Sequence, residues 1–455
     1  MSSPRILLMD DNVRDIGGHY LELASLLADG ARELGYAPQL VTNRSLLTRN
    51  PDALSDPRLV GVPVDARFQV RRMENWSLGV DGPSRLPRDL DAKPTGGTAA
   101  TRLIQTICDY ACRPQRRPAA MLNSWADDFV AAVQEFDPGP QDQIVVNTGG
   151  DFQMLALAAA INRLDEQTQP GPLSIHVIFH FAVFESRPTE RAQAFGQQIS
   201  AALNQIGEHA VHIHATTESL AHQLAAVAVT ANPIPYPTRI YPSHNQSVKS
   251  PRRKIVLAGV PRAEKGRDEI KRLLSSLESS ELRSGRYQWS MQLGPKRWQR
   301  MIPDSMHDLY QQATQTNDDD SALQILQGNL NSRDYHLWLD SADIGLFLYD
   351  PQRYVARCSG VLLEMMIRGV PVIVPQGCWL ADQVDAAGRR NPIGWIYQSP
   401  AQIPEILKAV DQQWEQVASN CQLHGQRLKS IHSGQNTLRQ MGIPDASPVS
   451  RRVAG

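Results

Sequence analysis

At 455 residues the chain is too long for one ordinary hydrophobic core and long enough for two. Its 42% apolar and 20% charged residues are the make-up of a globular protein, and 46 basic against 47 acidic side chains give no global field to draw it onto nucleic acid or an anionic membrane. Any recognition of phosphate must therefore be local. The five cysteines (Cys108, Cys112, Cys358, Cys378, Cys421) are odd in number and lack paired metal spacing, so a reducing compartment, the cytoplasm, is the expected location.

The chain opens on a short apolar run, Arg5 to Met9, too brief for a signal peptide or a membrane span and suited to a first buried strand. A loop from Asp10 to Gly18 follows, then a helix whose apolar residues Tyr20, Leu23, Ala24, Leu27, Ala31 and Leu34 keep helical spacing until Gly35 ends it. Gln39 to Thr42 reads as the next strand. Further strands are expected at Ile144 to Asn147, Ser174 to His180 and Val211 to Ala215, with helices at Phe152 to Arg163 and near Thr217 to Val227. This alternation is that of a parallel α/β sheet. Residues 51–118 are rich in Pro, Arg and Gly and read as an irregular insertion with one or two strands.

Proline recurs from Pro233 to Pro251, where missing N–H groups forbid a helix or a central strand. After it the pattern restarts with a strand at Lys254 to Gly259, a helix at Asp268 to Leu277, and strands at Gln288 to Leu293, Leu323 to Leu326, Ile344 to Tyr349 and Val370 to Val374. The expected division is an N-terminal domain over 1–240, a linker over 241–253, a second domain over 254–418, and a helical segment and tail over 419–455 that packs back on the first domain. The fold class expected is α/β, two Rossmann-like parallel-sheet domains facing a cleft at the carboxyl ends of their strands, where ligands bind in such sheets.

Four loops at those strand ends carry the candidate chemistry. Asp10 to His19 ends in Gly17 and Gly18, which permit close backbone approach, although paired glycines before a helix are also ordinary turn chemistry. Asn147 to Asp151 repeats the pattern, with Asp151 equally readable as a helix cap. His180 closes an apolar strand and is followed by Glu185 and Arg187. The loop G-V-P-R-A-E-K-G, Gly259 to Gly266, offers Arg262 and Lys265 to a diphosphate, and its spacing differs from a Walker loop. The stretch Ser341 to Val374 adds a buried strand, a polar loop and a Ser-Gly turn opening a helix, whose unpaired N–H groups stabilise phosphate. His212 and His214 alternate along one strand and read as a structural pair, so no metal site is expected.

The pairing of G-V-P-R-A-E-K-G with A-D-I-G-L-F-L-Y and S-G-V-L-L-E-M-M-I-R-G-V-P-V-I-V resembles the donor domain of GT-B fold glycosyltransferases, in particular the retaining sucrose, trehalose and mannosyl transferase group. The likeness covers about residues 254–400 and is weaker in the first half, where it rests on Gly17-Gly18, His180 and the A-T-T-E-S-L segment. It implies that Arg262 and Lys265 grip the donor diphosphate, that Ser359, Gly360 and Val361 supply backbone donors, that Glu364 contacts the ribose, and that His180 contacts the transferred sugar. It also implies a cytoplasmic transferase of carbohydrate metabolism with a nucleotide-sugar donor, an unidentified acceptor, no metal and no further cofactor. No nucleic-acid partner and no membrane span are expected; peripheral membrane contact stays open.

One position departs from that pattern. The family's first glutamate would fall on Ala356. Tyr354 and Arg357 beside it, or Asp350 at the strand end, are candidates for its contacts; a different donor sugar or an inactive protein are the other readings. In a retaining transfer the leaving phosphate takes the acceptor proton and needs no dedicated base, whereas an inverting one would draw on Asp11, Asp151, His180 or Glu185. The competing functions are a sugar-nucleotide epimerase of the same architecture and a non-catalytic sugar-nucleotide binding protein.

Overall fold

The computed structural model describes residues 3–70, 118–167, 171–239, 252–294, 298–315, 321–328, 330–388 and 390–446. Most of the proline-rich linker, the bulk of the 51–118 insertion, Cys108 and Cys112, and the final tail lie outside the described residues. The chain divides into two compact units, residues 1–235 with 434–455, and residues 236–433.

Unit 1 is built on a seven-stranded sheet in the order β3-β2-β1-β4-β5-β6-β7, all neighbours parallel. The strands are β1 (Arg5–Asp10), β2 (Ala37–Asn43), β3 (Val64–Phe68), β4 (Gln143–Gly149), β5 (Ser174–Phe179), β6 (Ala210–Ala215) and β7 (Asn232–Pro233). Between them run α1 (His19–Glu33), α2 (Ser45–Arg49), α3 (Pro118–Phe136), α4 (Asp151–Gln167), α5 (Glu190–Gln205) and α6 (Glu218–Ala225). Gly35 ends the first crossover with φ 89°, a conformation that costs glycine little. The start of the proline run forms β7, paired only at the sheet edge, where a residue without N–H is tolerated. Three helices of this unit were not anticipated from sequence, α2, α3 and α5, although in α3 Met121, Trp125, Phe129 and Val133 recur every fourth residue and are buried.

Unit 2 has a six-stranded parallel sheet, β10-β9-β8-β11-β12-β13. Its strands are β8 (Arg253–Leu257), β9 (Tyr287–Gln292), β10 (Leu323–Leu326), β11 (Ile344–Leu346), β12 (Val372–Pro375) and β13 (Gly394–Tyr397). Its helices are α7 (Ile270–Leu277), α8 (His307–Gln315), α9 (Ser332–Asp340), α10 (Gly360–Ile367), α11 (Trp379–Ala386) and α12 (Ile403–Ile431). Strand alternation sorts the core into two layers. Ile255, Leu257, Leu346 and Ile373 face α7 and the start of α12, while Val256, Phe347, Val372 and Val374 face α9, α10 and α11. Burial on both faces is why these strands read as unbroken apolar runs.

Helix α12 runs through residue 418 without a break and stays in unit 2 up to Ser433. The chain then forms α13 (Gly434–Gln440), which packs on α1. Two glycines make that crossing possible: a Cβ at Gly30 would overlap the Gly434 backbone, and one at Gly434 would overlap the Leu26 carbonyl. The Thr437 hydroxyl donates to the Pro235 carbonyl at 2.9 Å, fixing the returning segment.

The histidines of β5 and β6 are structural. Gln143 Oε1 accepts from Ser174 Oγ at 2.7 Å and faces His176 Nε2 at 3.2 Å, so Nε2 carries the proton. His176 Nδ1 is then the acceptor for His214 Nε2–H at 3.0 Å. Burial, then the neighbouring imidazoles, push His176 down to about 3 and His214 to about 4. No group of His, Cys, Asp and Glu able to hold a metal occurs among the described residues, and none of their helices is long and apolar enough to cross a membrane.

Two predictions follow from these contacts. Because both folded-state histidine pKa values lie below the free value of about 6.5, the neutral pair supports the fold fully above that pH and loses its contribution as pH falls toward 4. Urea midpoints should drop between pH 7 and 5, and His176→Gln should flatten that slope. Gly434→Ala should strain the α1–α13 crossing by about 1–3 kcal/mol, although alanine favours an isolated helix. Faster amide exchange in residues 434–440 would show it, and unchanged exchange would refute it.

Candidate functional site

Each sheet reverses its winding once. In unit 2 the chain moves outward from β8 to β9 and β10, then returns to place β11 on the other side of β8. Loops leaving β8 and β11 therefore diverge and leave a crevice at their carboxyl ends, the place where open α/β sheets bind ligands. Those two loops, 258–266 and 347–359, hold Arg262, Lys265, Tyr354, Arg357 and Ser359.

Backbone contacts fix the two loops to each other. Asp350 N–H donates to the Glu264 carbonyl at 3.0 Å. Gly266, with φ 74°, lies so close to the Leu348 carbonyl that any Cβ would collide with it. Gly259 makes room in turn, since a Cβ there would come within 3.1 Å of Lys265 Nζ. The half-buried Lys265 ammonium sits 5.2 Å from the centre of the Tyr349 ring. Tyr349 lies 4.5 Å from Tyr354, whose other neighbour is the Arg357 guanidinium at 5.3 Å. Burial holds the Lys265 pKa below the usual lysine range, and the charges of Arg262 and Arg357 add to that. Among the described residues no carboxylate lies at ion-pair distance from it; Glu264 stands 3.9 Å from the exposed Arg262. The structure thus brings three cations, Arg262, Lys265 and Arg357, around two tyrosines.

Ser359 begins α10 as a cap, its Oγ accepting from Leu362 N–H at 3.3 Å. The Gly360 and Val361 amides belong to the first turn, whose N–H groups have no partner within the helix, and they carry the positive end of its dipole. Glu364, one turn on, accepts from the Tyr335 hydroxyl of α9 at 2.9 Å. Tyr335 is a contact the sequence did not announce, because α9 is distant in the chain. Tyr236 is another: a Cβ at Gly360 would lie 3.4 Å from its ring. Ala356 is wholly buried in the core. Asp350 Oδ1 accepts from Gln352 N–H at 3.0 Å and closes its own turn.

Unit 1 has its own reversal, between β1 and β4. Here the strand ends carry Asp10, Asp11 and Asn12 on one side, and Asn147, Thr148 and Asp151 on the other, all buried. Asp10 accepts from Asn12 N–H at 2.9 Å and from Thr148 Oγ1 at 3.1 Å. Burial outweighs these bonds and raises its pKa to about 7. Asp11 accepts from Asn12 Nδ2 at 3.2 Å and Gln153 Nε2 at 3.5 Å. Asp151 opens α4 and accepts from Phe152 N–H at 2.9 Å. His180 follows β5, and its Nε2–H donates to the Asn147 carbonyl at 2.6 Å. With a carbonyl opposite it, Nε2 carries a proton.

Gly17 and Gly18 stand apart from this cluster. They are exposed, and the loop around them is held by Arg58, which donates to the Ile16 carbonyl at 2.6 Å and pairs with Glu22 and Asp56. The polar groups of the loop that sit at the reversal are at its start, Asp10 to Asn12, where D-D-N directly after a buried strand was the available signal. Glu185 and Arg187 are exposed.

No family model and no curated protein matches the sequence. Solved structures do match across nearly the whole chain. HepE from Anabaena, in complex with UDP, aligns with a TM-score of 0.56 and 13% identity over 96% of this chain and 98% of its own. Sucrose-phosphate synthase from Thermosynechococcus elongatus gives 0.54 and 14% over 96% and 97%. The N-terminal domain of Candida albicans trehalose-6-phosphate phosphatase gives 0.56 and 12% over 97% of both chains. At these identities the likeness establishes the fold, two parallel α/β units of the kind found in GT-B glycosyltransferases.

Proposed function

We propose that the protein is a nucleotide-sugar-dependent glycosyltransferase whose donor diphosphate sits at the reversal of unit 2. The observation that carries this reading is Lys265: a half-buried ammonium with its pKa lowered by burial and no carboxylate at ion-pair distance among the described residues, beside two more cations. Cations held this close together repel one another unless an anion joins them. A diphosphate has the charge and size to do so. HepE, a protein of the same fold, has been solved with UDP, which makes UDP the natural probe.

In this reading Arg262 and Lys265 hold the diphosphate oxygens, the Gly360 and Val361 amides donate to them, and Glu364 accepts from ribose hydroxyls. Arg357 and Tyr354 take the neighbourhood of Ala356, where the transferred sugar is contacted without a carboxylate. As the bond from the anomeric carbon to phosphate breaks, negative charge grows on the leaving oxygen, and cations fixed beforehand lower the barrier by binding that charge. The acceptor oxygen bonds to the anomeric carbon and its proton passes to the departing phosphate, giving retention without a separate base. The three side-chain cations supply the charge that a divalent metal supplies elsewhere. His180 is the residue that the likeness assigns to the transferred sugar.

Lys265→Ala should weaken UDP binding by roughly 1.5–3 kcal/mol, the range for a hydrogen bond to a charged group, as read by calorimetry. Equal affinity in the variant and the parent would remove the diphosphate from this loop. Thermal-shift measurements with UDP-, GDP-, ADP- and TDP-sugars should single out one nucleotide, because a ligand bound only to the native state raises its melting point. A flat response to all of them would leave no donor site.

A further inference from the structure

Glu364 is held from outside its own helix. The Tyr335 hydroxyl of α9 donates to Glu364 Oε2 at 2.9 Å. Burial, followed by the charge of Glu364, holds the Tyr335 pKa well above the usual tyrosine range, so the hydroxyl stays a donor at neutral pH. Helix α9 is itself fixed from two directions. On the sheet side, Trp338 Nε1–H donates to Ser290 Oγ of β9 at 2.7 Å, and Ser290 Oγ donates to Gln324 Oε1 of β10 at 2.7 Å. On the other side stands Arg368, at the end of α10. Its guanidinium donates to Asp340 Oδ1 at 2.7 Å, to His336 Nδ1 at 2.7 Å and to the Glu364 carbonyl at 2.8 Å. One side chain thus joins the residue next to Tyr335 to the backbone of Glu364.

We propose that Tyr335 is a positioning residue for ribose recognition: it fixes the Glu364 carboxylate to accept from the ribose hydroxyls of the donor, and so makes donor affinity depend on those hydroxyls; this rests on the donor reading of unit 2. A glutamate turns about three single bonds, and it gives up that freedom when it meets a ligand. A hydrogen bond made before the ligand arrives removes much of that cost from binding. The bond from a hydroxyl to a carboxylate is of the short, directional kind that charge strengthens. Phenylalanine at 335 would keep the ring that lies edge-on to Trp338 at 6.3 Å and lose only the bond to Glu364. A purely structural role for Tyr335 has a different signature. If the bond served only to hold α9 against α10, its loss would disturb the Gly360 and Val361 amides as well, and every diphosphate would bind more weakly whether or not it carried ribose hydroxyls.

The test is calorimetry on the full chain with UDP and with 2′,3′-dideoxy-UDP, which keeps the base and the diphosphate and lacks both hydroxyls. The parent should bind UDP about tenfold or more tightly than the dideoxy compound. Tyr335→Phe should weaken UDP by about fivefold to tenfold, the span of one ordinary hydrogen bond, and leave the dideoxy compound within about twofold. In a Glu364→Ala background, where no carboxylate remains to be held, adding Tyr335→Phe should change UDP affinity by less than about twofold. Arg368→Lys serves as the second variant: by loosening α9 from Glu364 it should lower the ratio of UDP to dideoxy affinity in the same direction. Equal losses for the two ligands, or a ratio unmoved by both substitutions, overturn the proposal. A parent that binds both ligands equally well overturns it too, while leaving the diphosphate at Arg262 and Lys265; a parent that binds neither removes the donor reading itself.

Discussion

A parallel sheet wound in both directions cannot be covered everywhere. Where the winding reverses, the two crossovers leave toward opposite sides and the strand ends between them stay without a helix. This protein meets that constraint twice, between β1 and β4 and between β8 and β11. The rest of each unit serves to hold those ends in place: strands buried on both faces, helices packed on alternating residues, and glycines at the points where one loop must touch another. Gly266 against Leu348 is the clearest case, because it is backbone contact that sets where Lys265 stands.

The chemical character of each crevice then follows from which side chains its loops bring in. In unit 2 the loops carry cations onto aromatic faces, which tolerate a positive charge with little water. In unit 1 they carry carboxylates and amides tied to one another by short-range bonds. One crevice gathers cations and the other carboxylates and amides. Nothing in the net charge of the chain hints at this, since the two patches cancel.

Much of the architecture was legible because both sheets are buried on both faces and so announce their strands as apolar runs. The loop Gly259 to Gly266 and the Ser359-Gly360 turn were legible for a related reason: their chemistry lies within a few residues of a strand or helix end. The tyrosines were less so. Tyr335 reaches Glu364 from α9, and Tyr236 reaches Gly360 across more than a hundred residues, and no local pattern encodes such a meeting. In the Asp10 to His19 loop the paired glycines stand exposed at the helix start, while the preceding D-D-N is buried. Glycine marks conformational permission; it does not mark which residue the permission serves. Helix α5 was hidden by its polar face, with Phe195, Ile199 and Ala202 as its main buried stripe.

The return of α13 to α1 has a meaning for how the chain is made. Gln435 donates to the carbonyl of Glu33, 402 residues away. On the ribosome the first unit emerges complete in its sheet but lacks the helix that seals α1, and that helix arrives only after the whole second unit has been synthesised. Domains usually fold in order of synthesis; here the first unit closes only when residues 434–440 arrive, after the second unit.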